Sequence, residues 1–551
     1  MAILLRASGK CILSAVVLLG AAYAGFGQAQ PQEDKKPGIA VRSEVVLVPA
    51  VVTDHSGAHV SDLTQADFTI LENGQQQKIA FFHHIRANTT PGEVAASLPP
   101  GDFTNKVQTN SDRSAILVFD LLNSSITEQS NARDELMKFL SESPALGEPV
   151  CLLAFDSEGV KLLHDFTKDP ALLARALQSM KNQRSPKDSA TTDPLESRLK
   201  TVEGWNTRSP THNAAANQGR QDVLQYSTNA VAADLGARTW LTLAALKEIG
   251  EAYSGLPGRK SLIWATGGFP FQIEDASNFA QNGRDLLPAY EAAWRTLARG
   301  NIAVYPLDVE DLINPAFVAP NTEIPQHIGI TSDLPKLESF AESTGGKLCD
   351  RRTTALGCFN AAVDDSSDYY LIGFYESSGK SNPEWRKLTV RVDRSDVRVR
   401  SRSGYYVRAP RDESLTRKED IQLALSSPLD FTGVRFTVRV TGIKDANAKK
   451  NVGFTFLIPA GVVTVDESDT NHVSLDFAAL AEKPDGTLVE SDFSQRLEGH
   501  IKPEGVTALN SKGLSLPGSL DLPSGEYSVR FVIRDNLAGQ VGSTTGSLRV
   551  P

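Results

Sequence analysis

The stretch Ser114–Ser125, which reads SAILVFDLLNSS, constrains the fold of this chain more than any other. A short, wholly apolar run ends on Asp120 and gives way at once to small polar residues. A run this hydrophobic suits a strand that is buried on both faces of a parallel sheet. Because ligands of open α/β sheets sit outside the carboxyl ends of the strands, Asp120 is predicted to lie where such a fold carries its chemistry.

Strand and helix patterns alternate from this run onward, which predicts a mostly parallel sheet with helices on both faces over 114–380. The predicted strands are Ala115–Asp120, Val150–Phe155, Gly159–Phe166 at an edge, Ser261–Ala265, Ile302–Leu307 and Asp368–Phe374. The predicted helices are Glu128–Leu140, Pro170–Met180, Leu241–Tyr253, Tyr290–Arg299 and Leu334–Ser343. A long polar stretch, 181–236, interrupts the pattern and is predicted to be a functional or disordered insertion.

On both sides of this unit, apolar and polar residues alternate with a period of two, as in half-buried strands. Residues 38–90 are predicted to form a small β domain, with Asn73-Gly74 at a hairpin turn. The polar stretch 91–113 is interpreted as a linker. After it comes the α/β unit, then a strand pair within 381–410, and then a C-terminal β-sandwich at 420–551.

The N-terminus is typical of a secretory signal peptide, predicted to end near residue 29. Arg6 and Lys10 precede an apolar core from Ile12 to Ala22, and small residues follow at cleavage-site spacing. The protein is therefore expected to be secreted or periplasmic, with no transmembrane span in the mature chain. A net charge of -10 argues against a nucleic-acid partner.

The cysteines remaining in the mature chain carry no catalytic pattern. Cys151 lies in an apolar run and is interpreted as a small core residue. Cys349 and Cys358 are close in sequence, and an exported protein would permit a disulfide between them. Two separate thiols are an equally good interpretation, so the sequence leaves the pairing open.

Several segments in a fixed order carry a resemblance over nearly the whole mature chain. They are VVLVPAVVTDHSGAHVSDLTQADFTILENG, ILVFDLLNSS, LPGRKSLIWATGGF, ESTGGKLC, DYYLIGFY and VRVRSRSGYYV. In this order they resemble the exported bacterial VWFA-related proteins, which contain a von Willebrand factor A-like domain. The resemblance implies a multidomain α/β plus all-β chain. A Rossmann-like von Willebrand factor A domain would lie between a small N-terminal β domain and a C-terminal β-sandwich. It also implies a role in binding, usually of protein ligands.

The same resemblance implies a site for a divalent cation, built from an Asp-x-Ser-x-Ser pattern, a threonine and a later aspartate. Asp120 matches the first ligand and Ser124 the second serine, and the threonine is either Thr239 or Thr242. Oxygen ligands of this kind suit Mg²⁺ or Ca²⁺.

Two of the expected ligands are missing from this chain. Leu122 replaces the first serine, and Gly267 stands where the pattern has its last aspartate. Asn123, Asp308, Glu310 or water could compensate. The expectation is a degenerate adhesion site with no cofactor, or with weak Mg²⁺ or Ca²⁺ binding.

Two functions follow as hypotheses. The first is an exported, non-enzymatic binding module that engages an unidentified protein or cell-envelope ligand. The second is an exported hydrolase that acts from a cleft around Asp120 and Asp308. The sequence contains no G-x-S-x-G serine elbow, and Gly258-Arg259-Lys260-Ser261 lacks the first glycine of a phosphate loop. These observations favour the binding module.

Overall fold

The computed structural model describes residues 45–86, 98–107, 113–143, 145–183, 236–268, 286–309, 334–349, 354–375, 384–407, 413–446 and 449–551. The predicted signal peptide, most of the predicted insertion and Glu310 lie outside these residues. Residues Ser43–Pro551 form one compact unit. No helix in the described ranges is both long enough and apolar enough to cross a membrane.

The first fourteen strands lie before residue 408. They are β1 (Val45–Asp54), β2 (Phe68–Glu72), β3 (Gln75–Gln77), β4 (Phe81–Arg86), β5 (Asp102–Thr104), β6 (Ser114–Asp120), β7 (Val150–Asp156), β8 (Gly159–Thr167), β9 (Lys260–Thr266), β10 (Ile302–Asp308), β11 (Asp368–Tyr375), β12 (Glu384–Val392), β13 (Val397–Ser401) and β14 (Gly404–Val407).

Seven longer strands follow. They are β15 (Thr437–Ala446), β16 (Lys449–Ile458), β17 (His472–Glu482), β18 (Leu488–His500), β19 (Leu514–Leu522), β20 (Gly525–Asp535) and β21 (Gln540–Val550).

The helices of the described chain are α1 (Ile126–Glu142), α2 (Pro170–Ser179), α3 (236–252), α4 (Leu287–Arg299), α5 (Leu334–Thr344), α6 (Ala355–Ser367), α7 (Glu413–Ser426) and α8 (Pro503–Lys512). Local sequence sets several of their ends. Ser125 caps α1 in a capping box with Glu128, and Asp169 caps α2 ahead of a proline at the first helical position.

One mixed sheet has the order β10-β9-β6-β7-β8. The first four strands are parallel, and β8 runs antiparallel to β7 at the edge, where the sequence placed an edge strand. Every residue of β6, β7, β9 and β10 is buried, as expected for strands covered on both faces. Helices α1, α2 and α6 pack on one face, while α3, α4 and α5 pack on the other.

Two four-stranded sheets face each other over a second core. Their orders are β13-β1-β11-β4 and β14-β12-β2-β3. Val48, Ile70, Ile372 and Leu388 come from four different strands and meet in this core. The predicted Asn73-Gly74 turn joins β2 to β3, with φ of 47° and 82° at its two central residues.

The C-terminal β-sandwich contains the sheets β19-β16-β15-β5 and β18-β17-β20-β21. Phenylalanines at its centre interlock edge to face, as Phe454 and Phe531 do at 5.1 Å between ring centroids. Strand β5 belongs to this sandwich although it comes from the stretch interpreted as a linker.

The expected fold class is wrong, because no Rossmann-like α/β core is evident. The described chain is mostly β, with 45% of its residues in strands and 28% in helices. Its strands form five separate sheets, and the mixed sheet is the one α/β-like element among them. Asp368–Phe374, expected as the last strand of that sheet, pairs instead with β1 and β4. The spacing of apolar residues in the sequence indicates that a segment is a strand and how far it is buried. It does not indicate which distant strand the segment pairs with.

Strand pairing also links segments that the sequence treated as separate. β2 from the N-terminal segment pairs with β12, and β1 pairs with β13. The two strands expected to pair with each other within 381–410, β12 and β13, therefore lie in different sheets.

The structure shows the pairing that the sequence left open and the place of the remaining cysteine. Cys349 and Cys358 form a disulfide, with their Cα atoms 5.6 Å apart. It ties the segment after α5, which bridges to Leu307 of β10, to the first turn of α6. Cys151 is fully buried in β7, as the apolar run predicted, and its Sγ lies 3.2 Å from the Tyr253 hydroxyl.

Candidate functional site

The carboxyl ends of the four parallel strands meet at one edge of the mixed sheet. β6, β7, β9 and β10 end there on Asp120, Asp156, Thr266 and Asp308, and all four residues are buried. The sequence predicted this place for Asp120, because Asp120 ends a buried strand. The edge therefore brings three carboxyl groups and a hydroxyl into the interior of the protein.

Asp120 is the centre of the edge and is held by five hydrogen bonds. Its Oδ1 accepts from the backbone N–H groups of Leu122 at 3.0 Å and Asn123 at 2.8 Å. Its Oδ2 accepts from Asn123 Nδ2 at 2.9 Å, Trp264 Nε1 at 3.1 Å and Thr266 Oγ1 at 2.7 Å. Burial raises the pKa of Asp120 to about 6, and the hydrogen bonds from Asn123, Thr266 and Trp264 oppose that rise.

Asn123 connects this carboxylate to helix α3. Its Nδ2 donates to Thr242 Oγ1 at 2.8 Å as well as to Asp120. Thr242 Oγ1 in turn donates to the carbonyl of Arg238 at 2.9 Å. Of the two threonines that the sequence left open, Thr242 joins the Asp120 network through Asn123, while Thr239 is buried one turn earlier on the same helix.

Ser124 and Leu122 have different roles. Ser124 Oγ accepts a hydrogen bond from the Gly267 N–H at 2.9 Å, so it joins the ends of β6 and β9. Leu122 is buried with the apolar residues beneath the edge. Its position therefore contributes packing instead of a ligand oxygen.

Glu128 is a residue of this edge that sequence reasoning missed. Its Oε2 accepts from the Ser125 N–H at 2.7 Å in the capping box of α1. A Cβ built on Gly267 would lie 2.3 Å from that same Oε2 and 2.9 Å from the carbonyl oxygen of Asn123. A carboxylate from α1 thus occupies the space where an aspartate side chain at position 267 would begin. The Ser-x-x-Glu spacing of a capping box was the available signal.

The other carboxylates of the edge have separate surroundings. Asp156 forms an ion pair with Lys161 on β8 and accepts from the Glu158 N–H at 2.8 Å. Asp308 is 3% exposed, and its N–H lies 3.4 Å from the carbonyl of the disulfide-bonded Cys349. The hydrolase hypothesis places a cleft around Asp120 and Asp308. Because both residues are buried, the cleft is not open to solvent at either of them.

The described residues do not fit the divalent cation that the resemblance implies. The Asn123 amide nitrogen lies between Asp120 and Thr242, where a cation shared by these two residues would have to sit. Its orientation is fixed because the opposite one would turn an amide oxygen toward the carboxylate. Asn123 Oδ1 is a buried acceptor without a hydrogen-bond partner among the described residues, whereas Mg²⁺ and Ca²⁺ take six or more oxygens. No group of three or more His, Cys, Asp or Glu side chains that could hold a metal ion lies in the described ranges.

Comparison with known proteins does not assign the chain to a family. No family model matches the chain, and no curated protein matches it.

Proposed function

We propose that this chain is an exported binding module, without catalytic activity of its own, that engages a protein or a cell-envelope ligand independently of divalent cations. The observation that supports it is the closed hydrogen-bond network of Asp120. A carboxylate that acts as a nucleophile or general base needs an oxygen directed at the substrate. Both oxygens of Asp120 already accept hydrogen bonds, and the residue is 0% exposed.

Two further observations support parts of this proposal. The Cys349–Cys358 disulfide is typical of proteins in oxidising compartments, which favours export. The amide nitrogen between Asp120 and Thr242 supplies hydrogen-bond donors where the related adhesion sites would use a cation. Binding at this edge would then need no metal.

A pull-down from the native envelope tests the binding part. The mature chain is immobilised and exposed to envelope extract in Mg²⁺ or in EDTA. The proposal expects the same captured partner in both. Capture that requires Mg²⁺ would contradict metal independence, and no specific capture would contradict a binding role.

The hydrolase alternative draws support from the burial of Asp120, which raises the pKa of its carboxyl group to about 6, a value suited to a general base near neutral pH. Purified protein is therefore assayed on ester, phosphate, glycoside and peptide substrates. We expect no turnover. Turnover that Asp120→Asn abolishes and Asp156→Asn retains would establish the hydrolase instead.

A further inference from the structure

A cavity of about 160 Å³ lies between the start of β1, the last turns of α4 and the start of β14. Its walls are largely apolar and include Leu47, Trp294 and Tyr406. Three arginines, Arg295, Arg299 and Arg402, also line it. Aromatic walls beside guanidinium groups form a lining suited to an organic anion.

Arg402 differs from the other two arginines in having no carboxylate partner among the described residues. Arg295 pairs with Glu291 at 3.3 Å, and Arg299 pairs with Glu251. Arg402 is 6% exposed, and its guanidinium has one hydrogen bond to a described residue, from Nη2 to the carbonyl of Ala298 at 3.4 Å. A buried guanidinium without a counterion is costly, so this charge calls for an explanation.

The end of strand β13 accounts for the position of Arg402. Pairing of β13 with β1 stops at Ser401 and Ala50, and the next residue on β1 is Pro49, which has no N–H. The chain leaves the sheet there, and Arg402 lines the cavity.

Nearby charges make the surroundings of Arg402 more positive. Arg259 is fully buried and donates to the Tyr305 hydroxyl and the Gly345 carbonyl. Burial and the charge of Arg259 lower the pKa of Arg402 to about 10, so the side chain is still cationic at neutral pH. The carboxylate of Asp365 is already held by Arg400 and Tyr305.

Capping of helix α4 is a competing explanation, since a cation is favourable near a helix C-terminus. However, the bond to Ala298 is at the long limit for an N–H donor. One weak bond leaves the remaining N–H groups of Arg402 without acceptors among the described residues. A carboxylate would satisfy two of them at once in a bidentate pair.

We propose that this cavity binds a small monocarboxylate with an apolar body. Its carboxylate would pair with Arg402, and its hydrocarbon part would pack against Trp294 and Tyr406. The size fits, since a dry protein cavity of about 150 Å³ accommodates benzene. This site involves none of the residues around Asp120, so it is independent of the proposed function.

Benzoate is the probe, with benzamide as its uncharged analogue, and binding to the mature full-length chain is followed by calorimetry and by the shift in Tm. Benzoate is expected to bind and raise Tm, and benzamide to do neither. Arg402→Met should weaken benzoate binding by about tenfold to a hundredfold. The control Arg394→Met, at an exposed arginine paired with Asp62, should leave it unchanged.

A second variant keeps the test decisive if Arg402→Met does not fold. Leu47→Trp fills part of the cavity from a partly exposed position and leaves Arg402 in place, and it should also weaken benzoate binding. The proposal is overturned by any of three results: no binding of benzoate at millimolar concentration, equal binding of benzamide, or unchanged benzoate affinity in every cavity variant that folds.

Discussion

At the scale of single residues, Gly267 shows that the absence of a side chain can be a structural requirement. Its Cβ would meet both the Glu128 carboxylate and the carbonyl oxygen of Asn123 within 3 Å. The carboxylate can move away, but the backbone carbonyl follows a buried strand and cannot do so without shifting the edge. The position therefore excludes the aspartate that the adhesion-site pattern of the resemblance would place there.

The first prediction follows from this crowding. Gly267→Ala should lower the free energy of unfolding by roughly 1–3 kcal/mol, the usual cost of overpacking a rigid interior. Urea titration measures the loss. Gly147→Ala is the matched control, because a Cβ at Gly147 meets nothing within 4 Å, and it should cost nothing. Equal stability of the two variants would show that Glu128 and Asn123 do not crowd position 267.

Lys260 gives the second prediction, which concerns pH. Burial lowers its pKa from 10.5 to about 7, and its Nζ donates to the carbonyls of Leu256 and Gly258, which match the two N–H groups of a neutral amine. Between pH 7 and 10.5 the unfolded chain binds this proton and the folded chain releases it. The free energy of unfolding therefore rises with pH across that window.

The rise is measured against Lys260→Met, which removes the titrating group. The difference between wild type and variant should change by up to about 1.4 kcal/mol per pH unit in the window and level off below pH 7. Lys444→Met, at an exposed position on β15, is the control and should show no such slope. A flat difference for Lys260 would mean that the amine reaches solvent.

At the scale of elements, the sequence predicts strands better than it predicts their partners. The apolar run of β6 and the edge position of β8 were predictable, because burial on two faces and on one face leave different patterns. The pairing of β1 with β11 joins residues more than three hundred positions apart, and no local pattern encodes it. β5 has only three residues in a polar stretch, too few to show a period.

The same limit applies to the candidate site. Asp120 was predictable because it ends a buried strand, whereas Ser124 was expected only from the Asp-x-Ser-x-Ser pattern that the resemblance implies. Asn123 was considered only as a substitute ligand, whereas its amide nitrogen holds the position between Asp120 and Thr242. The orientation of a side-chain amide depends on its neighbours in the folded structure, and it cannot be predicted from the local sequence.

The third prediction concerns the element that the sequence missed. Asn105 follows β5 and is 2% exposed. Its Nδ2 donates to the carbonyls of Phe431 and Val434, each at 2.7 Å, and its Oδ1 accepts from the Phe436 N–H at 3.0 Å. One side chain thus satisfies three backbone groups at the entrance to β15.

Asn105→Ala should therefore destabilise the chain by at least about 2 kcal/mol, because it leaves several buried backbone groups without partners. Thermal unfolding measures the effect. Asn451→Ala, which removes an exposed hydrogen bond to Asp521, should change stability by no more than about 0.5 kcal/mol. A small loss in Asn105→Ala would indicate that β5 is not anchored to the sandwich.

At the scale of the whole molecule, the N-terminal segment is part of a core that the chain completes only after residue 368. Val48 and Val52 of β1 and Ile70 of β2 pack against Ile372 of β11 and Leu388 of β12. Neither the N-terminal strands β1 and β2 nor the later strands β11 and β12 bury their apolar faces without the other pair. The predicted boundary between a small N-terminal β domain and the rest would cut through this core.

The fourth prediction follows from that shared core. A chain that begins at residue 98 lacks β1–β4 and exposes the buried faces of β11 and β12, so it should not reach the native state. A chain that begins at residue 43 retains every described strand and serves as the control. Near-UV circular dichroism and hydrogen exchange of the amides in β11 measure the outcome. Native spectra and protected β11 amides in the shorter chain would show that residues 45–86 fold as a separate domain, with their pairing to β11–β13 dispensable.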